Sequence, residues 1–417
     1  MFNLLRRYIL QSTYHTSSVS QFFLWFGASI SLAEIVTGSL IAPLGMTRGL
    51  QAILIGHVIG AIILLLAAWI SANSRLTALE ATRISFGAYG SYVLTILNML
   101  QLVGWASVMI ATGSLALNGM SKILFGFDFL PIWALTIGGI LLIWIFVGLK
   151  NVSKLNIVAV SILFLFTLLL AYVIFGGNGQ GIGSVDALEA ISFSSAVELS
   201  AVMSLSWLPL IGDYTRHVKN KRSGTLMSIV GYAIGSTFMF IIGLGGSLYV
   251  GSSDISDIMM ASGLGIVALG LVLLSTVVTT YLDSYSVGVN FKNIVPSINE
   301  RYVSILFTVL AVTIAILASV AAYESFLYFI GSVFAPLYGI LFADYYLLNR
   351  RNIEVNKKWS TGAMGLWLAG VIIYHVSLSF TVPLGHTLWV LVGSFIIRYV
   401  AVVTRRAFTV QKEGKCI

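Results

Sequence analysis

Apolar residues run in blocks of about 20 along nearly the whole chain, separated by short polar stretches. Twenty helical residues rise ~30 Å, the thickness of a bilayer's hydrocarbon core. The pattern predicts twelve spans: 20–44, 50–72, 88–118, 130–149, 155–176, 191–212, 224–250, 262–288, 302–321, 324–347, 360–380 and 385–404. Barrel strands would instead show short alternating segments. The longest connections are about a dozen residues, so no soluble domain fits and any function must lie within the bundle.

Two spans interrupt the pattern. The first, FFLWFGASISLAEIVTGSLIAPLG, carries Gly27, Ala28, Ser29 and Ser31 at its centre, followed by Glu34. The sixth, FSSAVELSAVMSLSWLPLIGDYTR, carries Ser204, Ser206 and Pro209. Proline removes a backbone donor and disfavours straight helix. Interruptions five spans apart predict two five-helix repeats, at 15–176 and 191–348, with two added helices at 360–404. Five is odd, so the second repeat enters the membrane from the opposite side. Such pairs of discontinuous helices mark midplane substrate sites in secondary transporters.

Composition supports the membrane reading. The chain is 58% hydrophobic and 9% charged, against about 25% charged in soluble domains, and its mean hydropathy is +0.97. The net charge of +8 does not imply nucleic acid, because the basic residues cluster at span ends. With the N-terminus inside, 20 of the 23 Lys and Arg fall in inner segments. Only Arg48 and Lys122 fall outside, and Arg398 lies within the last span. Positive charge is retained on the cytoplasmic side, so both termini are expected there, in the inner membrane of a prokaryote. The loop 177–190 has no Lys or Arg and fits the outside. No cleavable signal precedes the first span, and the single Cys416 excludes a disulfide framework.

Polar groups inside the spans carry the candidate chemistry. Asp283 sits in GLGIVALGLVLLSTVVTTYLDSYSVGVNF, just after Thr279 and Thr280, whose hydroxyls can ligate a small cation. A carboxylate at mid-bilayer costs about 2.5–3.5 kcal/mol on insertion scales and usually faces a cavity or a partner. Glu34 and Glu198 are the other intramembrane acids, for which a helix-pairing hydrogen bond is the competing role. His57 and His375 read as satisfied helix histidines, and Trp25 as packing. Asp213 with Arg216, and Asp344 with Arg350 and Arg351, read as pairs or anchors at inner span ends. Tyr345 and Tyr346 suit an interfacial belt. Gly243, Gly245 and Gly246 suggest close packing in span seven.

Three motifs then add a resemblance. RISFGAYGS (83–91), GDYTRHVK after span six and FADYYLLNRR after span ten together resemble the nucleobase:cation symporters. SISLAEIVTGSLIAPLG and SLSWLPLIGDYTR look most like the hydroxymethylpyrimidine permease subgroup. The resemblance implies an all-α polytopic fold of leucine-transporter type, a 5+5 inverted repeat plus two C-terminal helices. It also implies a substrate stacked between aromatics of spans three and six. Trp105 matches the first; Ser204 falls at the second, with Trp207 three residues on. Either Trp207 supplies the second face or only Trp105 stacks. Ser206 matches a base-binding serine, and Ser31 a substrate contact beside the break. Gly27 and Ile30 match the carbonyls of a sodium site, and Thr276, Thr279 and Thr280 its hydroxyl contributors.

A planar base needs one stacking face and a few in-plane hydrogen bonds. A Trp supplies the first, worth ~0.5–1.5 kcal/mol beyond burial. A carboxylate accepts from an amino group and from a protonated ring nitrogen, a charge-assisted pairing. The candidates are Asp283, Glu34 and Glu198, in that order. The expected function is import of a pyrimidine-type base, most specifically hydroxymethylpyrimidine, coupled to sodium, with no cofactor and no evident protein partner. Cytosine or another nucleobase or hydantoin, driven by protons, is the alternative. An intramembrane hydrolase built on Ser206 or Ser275 lacks a facing histidine motif, and a passive channel does not need broken helices.

Overall fold

The computed structural model describes residues 16–147, 149–176, 191–261, 263, 265–317 and 323–413. The predicted outer loop 177–190, together with Arg6, Arg7, Lys415 and Cys416, lies outside them. Among the described residues the fold is all helical, apart from one isolated bridge between Thr16 and Val218. Nine helical stretches there are long and apolar enough to cross a membrane, and shorter apolar helices cover Phe164–Gly176 and Thr361–Ser377.

Span one is two helices, α1 (Ser18–Ser29) and α2 (Leu32–Ser39). Between them Ile30 (φ −79°, ψ 80°) and Ser31 (φ −136°, ψ 154°) leave helical geometry. The Ser31 hydroxyl accepts from Glu34 N at 3.4 Å, so the break carries its own N-cap. Span two is α3 (Gly45–Ser74), followed by the turn α4 (Ala78–Ala81). Span three is α5 (Arg83–Phe125), broken at Gly87 (φ 77°, ψ −179°), so the span proper begins after Gly87, as predicted, and runs past its predicted end. Spans four and five are α6 (Leu130–Val147) and α7 (Leu149–Gly176). Span six is again a pair, α8 (Phe193–Leu205) and α9 (Leu208–Thr215). Pro209 stands in the first turn of α9, where the amide it lacks would have had no intrahelical acceptor.

Span seven is α10 (Lys221–Val250), followed by the short α11 (Ile255–Ala261). Spans eight and nine are α12 (Ile266–Phe291) and α13 (Glu300–Leu317). Span ten is α14 (Tyr323–Phe342), ending in a π-turn over Ala343–Leu347. The last two helices, α15 (Thr361–Ser377) and α16 (His386–Glu413), pack against α14.

The packing has an internal symmetry. Span seven (α10) lies along span one (α1, α2), and span two (α3) along span six (α8). Span three (α5) meets span nine (α13), and span eight (α12) meets span four (α6). Exchanging the two five-span halves converts each of these contacts into its counterpart and maps the α5–α12 seam onto itself. This is the inverted repeat expected from the paired breaks.

Close approaches are made by glycine. A Cβ on Gly243 would lie 2.9 Å from the Ser39 backbone nitrogen, so α10 and α2 touch main chain to main chain. Gly245 and Gly246 admit side chains of α7 and α11 instead. Gly87, inside the RISFGAYGS motif, has φ 77°, which side-chain-bearing residues avoid. Its turn lets Ala88 N and Tyr89 N donate to the Lys357 and Lys358 carbonyls at 3.0 and 2.9 Å. The motif therefore ties the segment after span ten to the start of span three.

Several expected polar pairs are rearranged. Asp344 is fully buried and held by Arg350 (3.3 Å) and Arg398 (2.9 Å). Arg351 lies instead over the Tyr345 ring at 5.6 Å. Arg398 came from the last span, and burial of Asp344 required a partner that deep. Asp213 accepts from Ala78 N at 3.0 Å, while Arg216 faces Glu80 at 3.9 Å. Tyr345 is buried rather than interfacial, and Tyr346 donates to the Leu66 carbonyl at 2.7 Å. His375 is exposed on α15.

Candidate substrate site

Both breaks open onto one cavity of about 30 Å³. That is room for a water or two, so a ring enters only as side chains part. Its wall includes Ala28, Ser31 and Glu34 from span one, and Gln101, Leu102, Trp105 and Met109 from α5. Met203, Ser206, Trp207 and Leu210 come from span six, and Thr279 and Asp283 from α12. Positions 101 and 105, like 279 and 283, are four apart and share one helix face each.

Two tryptophans contribute ring surface. Trp105 meets Phe326 edge-on at 5.5 Å. Trp207 sits on the turn between α8 and α9 and meets Trp25 edge-on at 5.4 Å. Trp25 also contacts Tyr214 and Tyr232 edge-on, at 5.5 and 6.4 Å, forming an aromatic cluster behind Trp207. On span six it is therefore Trp207, not Ser204, that lines the cavity; the Ser204 side chain lies against Gly60 of α3.

The acids differ in occupation. Asp283 is buried and has no hydrogen-bond partner among the described residues. Glu34 is held by Tyr232 Oη on Oε1 (3.0 Å) and Ser236 Oγ on Oε2 (2.7 Å). Its place in the first turn of α2 also sets its charge against the positive helix end. Glu198 does not reach the cavity. It accepts from Tyr374 Oη (3.2 Å), His386 N (3.0 Å), Thr387 N (2.9 Å) and Thr387 Oγ1 (2.7 Å). The helix-pairing role is the one the structure gives it: it caps α16.

Ser206 lines the wall, but its hydroxyl donates to the Met203 carbonyl at 2.7 Å. Its own carbonyl accepts from Gln101 Nε2 at 2.8 Å. Gln101 was missed in the sequence; its Oε1 is buried with no partner among the described residues. A turn earlier Asn98 is fully buried with both amide atoms unpartnered. The available signal was a polar Asn–Gln pair at helical spacing, ending on Trp105.

The cation candidates are only partly gathered. α12 packs against both halves of span one. Thr279 lines the cavity with its hydroxyl proton given to the Ser275 carbonyl at 2.8 Å, which leaves its lone pairs free for a cation. Thr280 Oγ1 is buried without a partner. Thr276 turns away, against Gly113 of α5. The Gly27 carbonyl accepts from Ile30 N at 3.3 Å. No cluster of three or more His, Cys, Asp or Glu suited to a metal ion occurs among the described residues.

Two discontinuous helices meeting around one cavity are the architecture of a secondary transporter. Residues 8–400 match the family model described as permeases for cytosine/purines, uracil, thiamine and allantoin. The chain belongs to that family, the nucleobase:cation symporters, and is not an enzyme. It is 27% identical over 376 residues to the cytosine permease of Escherichia coli (strain K12), covering 84% of this chain and 86% of that one. It is 24% identical over 408 residues to the hydantoin permease of Microbacterium maritypicum, covering 89% and 83%. Among solved structures it matches inward-facing Mhp1 with a TM-score of 0.78 at 19% identity, covering 95% and 92% of the chains. Mhp1 closed on bromovinylhydantoin matches at 0.77 and 19%, covering 94% and 93%. At that identity the structures speak for the fold alone.

Proposed function

We propose that this permease is a secondary active importer of a pyrimidine-type base, most specifically hydroxymethylpyrimidine. One observation carries the reading: Trp105 and Trp207 line a single cavity with the buried Asp283 carboxylate and a Gln101 carbonyl that has no partner among the described residues. A 4-aminopyrimidine presents an amino donor beside a ring nitrogen, the edge that a carboxylate and an amide oxygen accept from. Trp105 and Trp207 offer faces for the ring, and Ser31 and Ser206 lie within the same wall.

Coupling to sodium is the accompanying proposal, supported by the free lone pairs of Thr279 and the unpartnered Thr280 hydroxyl on α12, with the carbonyls of Gly27 and Ile30 at the break as the remaining candidates. An inward charge gains about 2.3 kcal/mol per 100 mV of membrane potential. The charge bias supports cytoplasmic termini, and the paired breaks support repeats at 15–176 and 191–348. A second reading is a permease for cytosine or another nucleobase or hydantoin, driven by protons rather than sodium; its substrate is favoured by the likeness to the cytosine and hydantoin permeases.

The test is binding of 4-amino-5-hydroxymethyl-2-methylpyrimidine to purified protein, by tryptophan quenching, with and without sodium. Cytosine runs in parallel and Asp283→Asn serves as control. Sodium-enhanced binding lost in Asp283→Asn supports substrate, site and ion together. Binding of cytosine alone keeps the transport class and removes the hydroxymethylpyrimidine assignment.

A further inference from the structure

Behind the cavity wall, Glu34 belongs to a chain of hydrogen bonds that ends on two carbonyls. His57 Nδ1 contacts the Ile53 carbonyl at 2.9 Å, and His57 Nε2 contacts Ser236 Oγ at 2.7 Å. Ser236 Oγ in turn contacts Glu34 Oε2 at 2.7 Å. On the other carboxylate oxygen, the single Tyr232 Oη hydrogen is shared between Glu34 Oε1 (3.0 Å) and the Met203 carbonyl (3.1 Å), so it adds no proton to the count. Glu34, Ser236, His57 and Tyr232 are all buried.

Counting hydrogens restricts what this chain can hold. A carbonyl only accepts, so His57 Nδ1 carries a proton. Ser236 has one hydrogen for two short contacts. If it donates to Glu34, Nε2 must donate to it, and the ring is an imidazolium beside a carboxylate. If it donates to Nε2, Glu34 must donate to it, and a carboxylic acid stands beside a neutral imidazole. An ionised Glu34 with a neutral His57 would set two lone pairs against each other across 2.7 Å in a buried site.

We propose that Glu34, Ser236 and His57 form a proton-binding site in the wall of the substrate cavity and hold one exchangeable proton in both arrangements. They interconvert without a co-reactant. The Nε2 proton moves to Ser236 Oγ as the Ser236 proton moves to Glu34 Oε2, so one N–H and one O–H break while two O–H bonds form. Glu34 reaches the cavity, which gives the proton a route in, and it rides on α2, the half-helix after the break. The other titratable groups around it are Tyr232 on α10 and Asp283 across the cavity on α12. No Lys or Arg lines the cavity among the described residues. Movement of α2 relative to α10 and α3 separates Glu34 from its relay, and the site then releases or takes up its proton. Proton drive rests on the second transport reading above, in which protons replace sodium; the held proton does not.

The first arm of the test needs no substrate. Full-length protein in nanodiscs is examined at pH 7 by infrared spectroscopy and by NMR of ¹⁵N-labelled histidine. The expected result is one of two signatures. Either a protonated-carboxyl band disappears in Glu34→Gln, or a ring protonated on both nitrogens disappears in His57→Gln. Ionised Glu34 beside singly protonated His57 overturns the proposal.

The second arm follows labelled cytosine in sodium-free proteoliposomes. An inward gradient of one pH unit is expected to raise wild-type accumulation by about tenfold, since one unit is worth 1.36 kcal/mol per proton. His57→Gln and Ser236→Ala, which remove the relay behind Glu34, should lose that rise. Equal accumulation in all three proteins overturns proton drive. If wild type takes up no cytosine, the cytosine reading fails, and the spectroscopic arm decides the proton site alone.

Discussion

Glu198 offers the sharpest separation between anchoring and substrate binding. Its carboxylate accepts four hydrogen bonds, two of them from the first amides of α16. Truncation by Glu198→Ala leaves buried donors without partners, each costing about 1–3 kcal/mol. Part of that is recovered as His386 N and Tyr374 find water, so a net loss of ~3 kcal/mol is reasonable, with ~1 kcal/mol for Glu198→Gln. The loss falls on the local opening of α16, because Glu198 touches only its start and the facing Tyr374. At 1.4 kcal/mol per decade, amide exchange in α16 should quicken by about a hundredfold in Glu198→Ala. Exchange in α5 and α12 should stay unchanged, as should substrate affinity. Unaltered exchange in α16 combined with lost binding would refute the argument and return Glu198 to the substrate.

Four further outcomes follow from the same geometry. Asp283→Asn removes a charge-assisted acceptor worth about 1.5–3 kcal/mol, so ligand affinity measured by quenching should fall roughly 10- to 150-fold with the fold intact. Trp207→Ser should weaken substrate binding, whereas Ser204→Ala should leave it within twofold, because only Trp207 borders the cavity; equal losses would contradict this. Thr280→Val should abolish sodium enhancement of binding without changing sodium-free affinity, if the orphaned hydroxyl serves the ion. Gly87→Ala forces a side chain into a positive-φ, extended-ψ region at a cost of about 1–3 kcal/mol, and should expose 357–360 to limited proteolysis.

The spans and both breaks were legible because they follow from local causes: block length, small residues and Pro209. The turn ahead of span three was not. Residues 83–86 precede Gly87, whose positive φ makes a turn that the 357–360 segment fastens, and hydropathy does not register such a bond. Asp283 could be found from burial cost alone. Glu198 and Glu34 looked alike in sequence, yet one caps a helix 188 residues away and the other faces the cavity. The same holds for Asp344, whose deep partner Arg398 lies 54 positions on. Gln101 was overlooked because an amide in an apolar span carries no charge to draw notice, and its role shows only once Ser206 is beside it.

The α5–α12 seam has a consequence of its own. In an inverted repeat, the two opposed access states arise when the halves trade shapes. Contacts away from the pseudo-axis are then broken in one state and remade in mirror form in the other. A contact lying on that axis is its own image and survives the trade. Trp105, Gln101, Thr279 and Asp283 all stand on the two helices of this seam. On the proposed reading, this seam brings one Trp face, an amide and a carboxylate to the cargo, and the broken helices bring Trp207, Ser31 and Glu34 to it.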